Sequence, residues 1–202
     1  MIVIILAIIV LLIILFLIFF NRDPERNIPQ GRNIVSPADG KIIEIIDLSK
    51  LKKKDIEVKK GLTGKIKTET EDITKNGYLV SIFMNLGDVH VQRAPVDGKV
   101  IFVEYKKGKF IPANKFKAFI ENEKIEIVIK NKKLGKIKVI QAAGLIARRV
   151  VCFKKKNETL LKGQRIGKIK LGSQVVLIIP RLKLSVKKED RVTAGETVIA
   201  KY

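Results

Sequence analysis

The sequence predicts a mainly β fold: an antiparallel β domain with few helices, preceded by one N-terminal transmembrane helix. The helix is indicated by residues 2–20, which are apolar throughout and include neither a charged residue nor proline. The β domain is indicated by short β-branched runs after residue 35, separated by Gly, Asp-Gly, Asn-Gly and Lys clusters. Few windows of this part repeat apolar residues with a helical period, so we expect an anchor over 1–21 and one domain over 22–202.

The apolar run has the length of a membrane span. At about 1.5 Å per residue, a helix over 2–20 is about 28 Å long, close to the hydrocarbon thickness of a bilayer. A cleaved signal peptide is the alternative, but no basic residue precedes the run and no small-residue cleavage site follows it. Arg22 and Arg26 come directly after it, and the positive-inside rule then places the domain in the cytoplasm. We therefore expect a protein of the cell membrane, single-pass or peripheral, with a cytoplasmic domain.

The charge of the chain limits its partners. The 202 residues include 41 Lys plus Arg against 20 Asp plus Glu, a formal net charge of +21. One His and one Cys exclude an internal disulfide and a Cys/His zinc cluster, so no metal is predicted. Aromatic residues make up only 6% of the chain, Trp is absent and no RNA-binding or zinc-finger pattern occurs, so nucleic acid is not an expected partner. The Lys excess of a tethered domain is most simply explained by attraction to anionic headgroups, worth about 1 kcal/mol per well-placed cation.

The β domain is divided into recognisable segments. A Lys-rich stretch over 50–60 is predicted to be a solvated excursion, with a membrane-facing patch as the alternative. An internal echo relates PADGKI (37–42) to PVDGKV (95–100), and Asp-Gly before an apolar run is typical of a tight turn that enters a strand. The segment VTAGETV (192–198) resembles the hairpins of lipoyl and biotinyl carriers, but neither attachment motif accompanies it. The predicted strands cover 42–46, 78–84, 99–103, 125–129, 137–140, 175–179 and 197–200.

Two short segments include residues that could take part in catalysis. His90 is the only side chain whose unperturbed pKa lies near neutrality, although a lone histidine before a strand is more often structural or merely exposed. Gly172 and Ser173 stand at the mouth of a strongly apolar predicted strand, where Gly-Ser in isolation indicates only a turn. No Gly-x-Ser-x-Gly elbow surrounds Ser173, which argues against a hydrolase nucleophile.

Five segments follow one another in a distinctive order along the chain. They are VSPADG (35–40), DVHVQRAP (88–95), NE (122–123), QAAGLIARR (141–149) and GQRIG leading to LGS (163–173). Together they resemble the short form of the phosphatidylserine decarboxylase family, including its archaeal relatives that act on archaetidylserine, and the resemblance runs over nearly the whole chain. It implies a pyruvoyl enzyme made as a proenzyme, which cleaves itself between Gly172 and Ser173 into a larger N-terminal (β) chain and a C-terminal (α) chain of residues 173–202 that stay associated.

The resemblance also implies the roles of single residues. Ser173 Oγ would attack the Gly172 carbonyl to form an ester, and β-elimination followed by hydrolysis would leave a covalent pyruvoyl group and ammonia. Its partners in proton transfer would be His90 and Asp39, with Asp39 orienting or charging the imidazole as in serine-type triads. The pyruvoyl carbonyl would form a Schiff base with the amine of a serine phospholipid, phosphatidylserine or archaetidylserine, and release CO2 to leave the ethanolamine phospholipid. His90 would then reprotonate the α-carbon.

The lipid phosphate would need cationic or amide contacts. Arg93, Arg148 and Arg149 are the predicted anion contacts, with ordinary surface arginines as the alternative. The longer bacterial form has two histidines in the segment that matches 88–95, whereas here Arg93 stands at the second place. Gln174 also replaces the Thr or Ser that usually follows the reacting serine.

The alternative function is a non-catalytic, membrane-tethered basic β module that binds anionic lipid or nucleic acid, with the chain uncleaved. The ester or ether linkage of the lipid tails leaves no motif in the sequence. Oligomeric state leaves none either, and a homo-oligomer is left open.

Overall fold

The computed structural model describes residues 1–52, 66, 69–145, 149–170 and 172–202. Arg148 and most of the Lys-rich stretch 50–60 therefore lie outside the described residues. Helix α1 covers Ile2–Phe20, a 3-10 turn covers Leu48–Lys52 and a short helix α2 covers Ala118–Glu121. The strands are β1 (Asn33–Val35), β2 (Gly40–Asp47), β3 (Gly77–Met84), β4 (Val91–Arg93), β5 (Gly98–Lys106), β6 (Lys124–Asn131), β7 (Gly135–Ala143), β8 (Val150–Cys152), β9 (Thr159–Leu160), β10 (Arg165–Ile169), β11 (Ser173–Pro180), β12 (Lys183–Leu184), β13 (Arg191–Val192) and β14 (Val198–Lys201).

The strands form one large and two small antiparallel sheets. The large sheet has eight strands in the order β13-β2-β3-β11-β7-β6-β5-β9. The small sheets have three strands each, in the orders β1-β14-β12 and β4-β10-β8. Every pairing between named strands is antiparallel, which confirms the predicted fold class.

Strand β11 is buried on both faces. Its odd-numbered residues Val175 and Leu177 join the core between the large and small sheets, whereas Val176 and Ile178 join a second apolar cluster on the opposite face. Side chains alternate across a strand, so burial of both faces requires the continuous apolar run that the sequence shows here. Because β11 lies between β3 and β7, its first residue is placed deep inside the sheet.

The two copies of the repeated motif form matching turns that are hydrogen-bonded to each other. Both copies enter a strand at their glycine, β2 at Gly40 and β5 at Gly98, as predicted. The N–H of Val35 donates to the carbonyl of Pro95 at 3.0 Å, and the N–H of Arg93 donates to the carbonyl of Pro37 at 2.9 Å. These reciprocal bonds relate the two turns by an approximate twofold axis.

The aspartate of each turn follows the same relation. Asp39 Oδ1 accepts the backbone N–H of Ala194 at 2.7 Å, and Asp97 Oδ1 accepts that of Lys162 at 2.7 Å. Each donor lies next to a glycine in a loop that leads to a strand of a small sheet. One function of Asp39 is therefore to join its turn to the loop between β13 and β14.

Helix α1 extends from the domain with its apolar side chains exposed. Phe20 is its only buried residue. By length and composition α1 could cross a membrane, and none of its most apolar window is buried against the protein. The exposed apolar surface therefore fits the predicted anchor.

Candidate active site

Ser173 begins the central strand of the large sheet. It lies opposite Met84, the last residue of β3, and opposite Ala143, the last residue of β7. Its side chain is fully buried, and Oγ lies 3.3 Å from Met84 Sδ. A thioether is a weak acceptor, so the hydrogen bond that the described residues offer this hydroxyl is a weak one.

The preceding peptide bond is held by close backbone packing. Gly172 has φ of +60°, a left-handed conformation that favours glycine. Its carbonyl faces Gly144, where an added Cβ would lie only 1.9 Å from the Gly172 oxygen. The Gly172 carbonyl can therefore occupy this position only because residue 144 has no side chain.

His90 is buried at the same end of the sheet, after the turn that follows β3. Its Nδ1 lies 2.9 Å from the carbonyl oxygen of Asp88. Because a carbonyl can only accept, Nδ1 bears the proton and Nε2 presents its lone pair. Nε2 is buried and has no hydrogen-bond partner among the residues that the structure describes.

The surroundings of His90 favour the neutral imidazole. Burial lowers the pKa of His90 below its ordinary value. The carbonyl and the charge of Asp88 act in the opposite direction, while the charges of Lys168 and Arg22 lower the pKa further. A neutral ring with a free Nε2 is in the form that a general base requires.

A buried glutamine connects His90 to the residue that contacts Ser173. Gln92 Nε2 donates to the His90 carbonyl at 2.9 Å and lies 3.6 Å from Met84 Sδ. Gln141 Nε2 donates to Gln92 Oε1 at 2.8 Å and so holds that amide in place. Neither role was predicted, although an amide among buried apolar residues was the signal that could have indicated them.

Asp39 has other described partners than the imidazole. Its carboxylate accepts Arg26 at 3.0 and 3.1 Å as well as the N–H of Ala194. The described hydrogen bonds of His90 and Asp39 do not join the two side chains. The orienting role of Asp39 stays a prediction.

Arg93 pairs with the segment that follows α1. Its guanidinium forms a salt bridge with Asp23 at 2.9 Å and donates to the carbonyls of Pro24 at 3.0 Å and Gly163 at 3.1 Å. The side chain is only 5% exposed, so these groups occupy its reachable donors. The role of Arg93 as an anion contact stays a prediction, as does that of Arg149, which is exposed.

We expect Arg93→Ala to lower the free energy of unfolding by about 2 kcal/mol, because the carbonyls of Pro24 and Gly163 lose their donor while Asp23 keeps its pair with Arg165. Thermal unfolding of the full chain in detergent micelles measures this loss. Arg149→Ala is the control, and we expect a change within about 0.5 kcal/mol at its exposed position. An Arg93→Ala variant with wild-type stability and weaker substrate binding would instead support the anion contact.

The side chain of Gln174 points away from Ser173 Oγ. Its Nε2 donates to Ser81 Oγ at 2.7 Å on the face of β11 opposite to Ser173. The replacement of the usual hydroxyl residue therefore changes the packing behind the strand and leaves the surroundings of Ser173 Oγ unchanged.

The end of α1 lies directly on this site. The ring of Phe20 is 4.4 Å from the ring of His90, measured between centroids. Arg22 donates to the carbonyl of Gly87, and Lys168 Nζ donates to Asn21 Oδ1 at 2.7 Å. The candidate site is thus at the point where the apolar helix ends.

A comparison with known protein families decides the relationship. The family model described as phosphatidylserine decarboxylase matches residues 13–200. The chain belongs to the phosphatidylserine decarboxylase family. The match begins inside α1 and includes every candidate residue described above, so the resemblance found in the sequence is confirmed at the level of the family.

Curated relatives of the family agree with this assignment. A phosphatidylserine decarboxylase proenzyme of Syntrophus aciditrophicus is 39% identical over 139 residues, which cover 68% of this chain and 56% of the relative. The proenzyme of Carboxydothermus hydrogenoformans is 40% identical over 139 residues, with the same coverage of 68% and 56%. That of Chlorobium phaeobacteroides is 41% identical over 141 residues, covering 69% and 57%. The chain spans little more than half the length of the curated relatives it matches.

Proposed function

We propose that this chain is a self-cleaving proenzyme whose mature form decarboxylates a serine phospholipid, phosphatidylserine or archaetidylserine, to the ethanolamine phospholipid. The observation that carries the proposal is the arrangement at one end of the large sheet. A buried Ser173 follows a left-handed Gly172, and a buried imidazole with a free Nε2 lies at the same end. Membership of the family supports the same reaction.

The first step is scission of the chain between Gly172 and Ser173. Ser173 Oγ attacks the Gly172 carbonyl carbon, its proton passes to the base, and the broken amide leaves an ester with a free amine on residue 173. Loss of the α-proton then expels the Gly172 carboxylate and leaves dehydroalanine, and water converts its imine tautomer to a pyruvoyl group and ammonia. We assign the base to His90 Nε2, which is buried and unprotonated.

The residues around Ser173 fit a covalent pyruvoyl group in place of the serine. The position is fully buried, and its polar neighbour is the weak acceptor Met84 Sδ, so no strong donor competes for the group. The group supplies an electron sink for the loss of CO2 from a serine headgroup. His90 supplies the proton that replaces CO2, and burial keeps this exchange away from bulk water.

The two products of scission should remain one particle. Strand β11 pairs with β3 over Ser173–Pro180 and with β7 on its other side, and these bonds do not depend on the broken peptide bond. We therefore propose that residues 1–172 and 173–202 stay associated and that 22–202 act as one catalytic domain.

The anchor places this domain at its substrate. Because α1 ends against His90, the site is close to the depth of the lipid headgroups, and the positive-inside rule favours the cytoplasmic leaflet. A tethered enzyme meets its lipid in two dimensions, so the anchor raises the encounter rate without a soluble carrier.

Gly144→Ala should slow scission strongly, because its Cβ would overlap the Gly172 oxygen and displace the carbonyl that Ser173 attacks. A 1 Å misplacement can cost about 100-fold in rate, so we expect a loss of this order. The fraction of cleaved chain, followed with time by intact mass spectrometry, measures it. Gly135→Asn is the control, since an added side chain there meets open space and Asn tolerates the positive φ. Scission at the wild-type rate in Gly144→Ala would contradict this account of the carbonyl.

The purified full chain in vesicles tests the function directly. Vesicles with phosphatidylserine and vesicles with archaetidylserine are compared for release of CO2 and for the ethanolamine lipid. Intact mass spectrometry of the same sample shows whether residues 173–202 begin with a keto group. Cleaved protein with product in either vesicle supports the proposal, whereas an unbroken chain without product would favour the non-catalytic lipid-binding module.

A further inference from the structure

One residue of the membrane helix is part of the surroundings of His90. Phe20 is 4% exposed, whereas the other residues of α1 are exposed along its length. Its ring lies 4.4 Å from the imidazole, with an angle of 40° between the two planes. A helix that served only as a tether would need no such contact.

Polar contacts fix both the His90 imidazole and the end of the helix that carries Phe20. On the imidazole side, Asp88 fixes Nδ1 through its carbonyl oxygen. On the helix side, Arg22 donates to the Gly87 carbonyl and Asp23 pairs with the buried Arg93. The segment after Phe20 is thus bound to the same turn that carries His90, so neither ring can move away without breaking polar contacts.

We propose that Phe20 is a positioning residue for His90. Its ring covers one face of the imidazole, excludes water from it and holds the ring plane while Asp88 holds Nδ1. The last turn of the membrane helix is therefore a wall of the candidate active site. The catalytic consequence rests on the proposed function, whereas the shielding of His90 does not.

The charged groups around His90 determine the sign of the expected effect. Asp88 faces it from its own turn and is paired with Arg191, Lys168 faces it from β10, and Arg22 faces it from the segment after α1. Desolvation is the largest cause that lowers the pKa of His90, and Phe20 supplies part of this burial. Removal of the Phe20 ring should hydrate the imidazole and raise its pKa toward the ordinary value.

The chain offers a direct probe, because His90 is its only histidine. The Cε1–H resonance of His90 can be titrated by NMR in the full chain held in detergent micelles, before any assay of activity. We expect Phe20→Ala to move the titration midpoint upward by about one pH unit. Phe19→Ala is the matched control. The Phe19 ring belongs to the same helical turn as Phe20, lies under the Arg22 guanidinium and is half exposed.

Phe20→Leu keeps apolar bulk at the contact, so we expect a smaller upward shift of the His90 titration midpoint. This variant should stay folded even if Phe20→Ala is unstable. A midpoint unchanged in both Phe20 variants, or moved equally by Phe19→Ala, would overturn the proposal. In vesicles the alkaline limb of decarboxylation should move to higher pH in Phe20→Ala, because an acid with a higher pKa keeps its proton further as pH rises. A chain that shows the NMR shift but never decarboxylates would overturn the proposed function and leave the shielding by Phe20 intact.

Discussion

Ser173→Ala is expected to yield one unbroken chain without decarboxylase activity. The methyl group cannot attack the Gly172 carbonyl, so neither the ester nor the pyruvoyl group can form. Alanine occupies less space than serine at a fully buried position and can pair within β11 in the same way, so the fold should persist. Intact mass spectrometry and CO2 release from phosphatidylserine vesicles measure the two losses.

Ser185→Ala is the control for this experiment, because it removes an exposed hydroxyl from the same C-terminal segment. It should be cleaved and active like the wild type. A Ser173→Ala chain that still breaks before residue 173, or that still forms the ethanolamine lipid, would contradict the proposed chemistry at its first step.

His90→Ala is expected to reduce decarboxylation by at least about 100-fold, the contribution typical of a positioned acid or base. Only one histidine is present, so no second imidazole can replace it in the described site or elsewhere in the chain. If His90 Nε2 also serves as base in maturation, the variant should accumulate as uncleaved chain. Scission and turnover are therefore measured on the same preparation.

His90→Gln separates chemistry from packing. Its amide can donate to the Asp88 carbonyl as Nδ1 does, but it cannot exchange a proton near neutral pH. Both variants should be inactive, and the Gln variant should lose less stability in thermal unfolding. Full activity of His90→Gln would reject the assignment of His90 as acid and base.

The long strands could be predicted because their signal is local. Each of the seven predicted strands is present, and several extend beyond the predicted bounds, such as Gly98–Lys106 against 99–103. The strands β1, β4, β8, β9, β10, β12 and β13 were missed. They are two to five residues long and are held by partners distant in sequence, as β1 is by β14, so periodicity within a short window does not reveal them.

The candidate residues were predicted from motifs, but the contacts around them were not. Motifs indicated Gly172, Ser173 and His90, whose chemical roles stay predictions, whereas the packing of Gly144 on the Gly172 carbonyl depends on the pairing of β7 with β11. The tautomer of His90 depends in the same way on the carbonyl of Asp88. The contact at Asp88 uses only its backbone carbonyl, and a single glycine at 144 does not indicate which backbone group it faces, so sequence reasoning sees neither contact.

Asp39 and Arg93 show more clearly that a motif does not reveal the partners of its residues. Asp39 lies in a motif that also occurs around Asp97, and both carboxylates accept a backbone N–H from a loop far along the chain. Arg93 lies in a segment that indicated the family, yet its charge is paired with Asp23, 70 residues away. Motif position indicates that such residues matter, and their partners decide what they do.

The apolar helix, the antiparallel β class and the Asp-Gly turns could be predicted from the sequence alone, and motifs singled out the Gly172-Ser173 pair. Each of these follows from side-chain type, short-range periodicity or the chemistry of adjacent residues. The folded structure was needed to show that α1 ends on the imidazole, that Arg93 pairs with Asp23 and that Gly144 faces the Gly172 carbonyl. These contacts join residues that are distant along the chain, and their energies depend on burial and geometry that exist only after the sheets have formed.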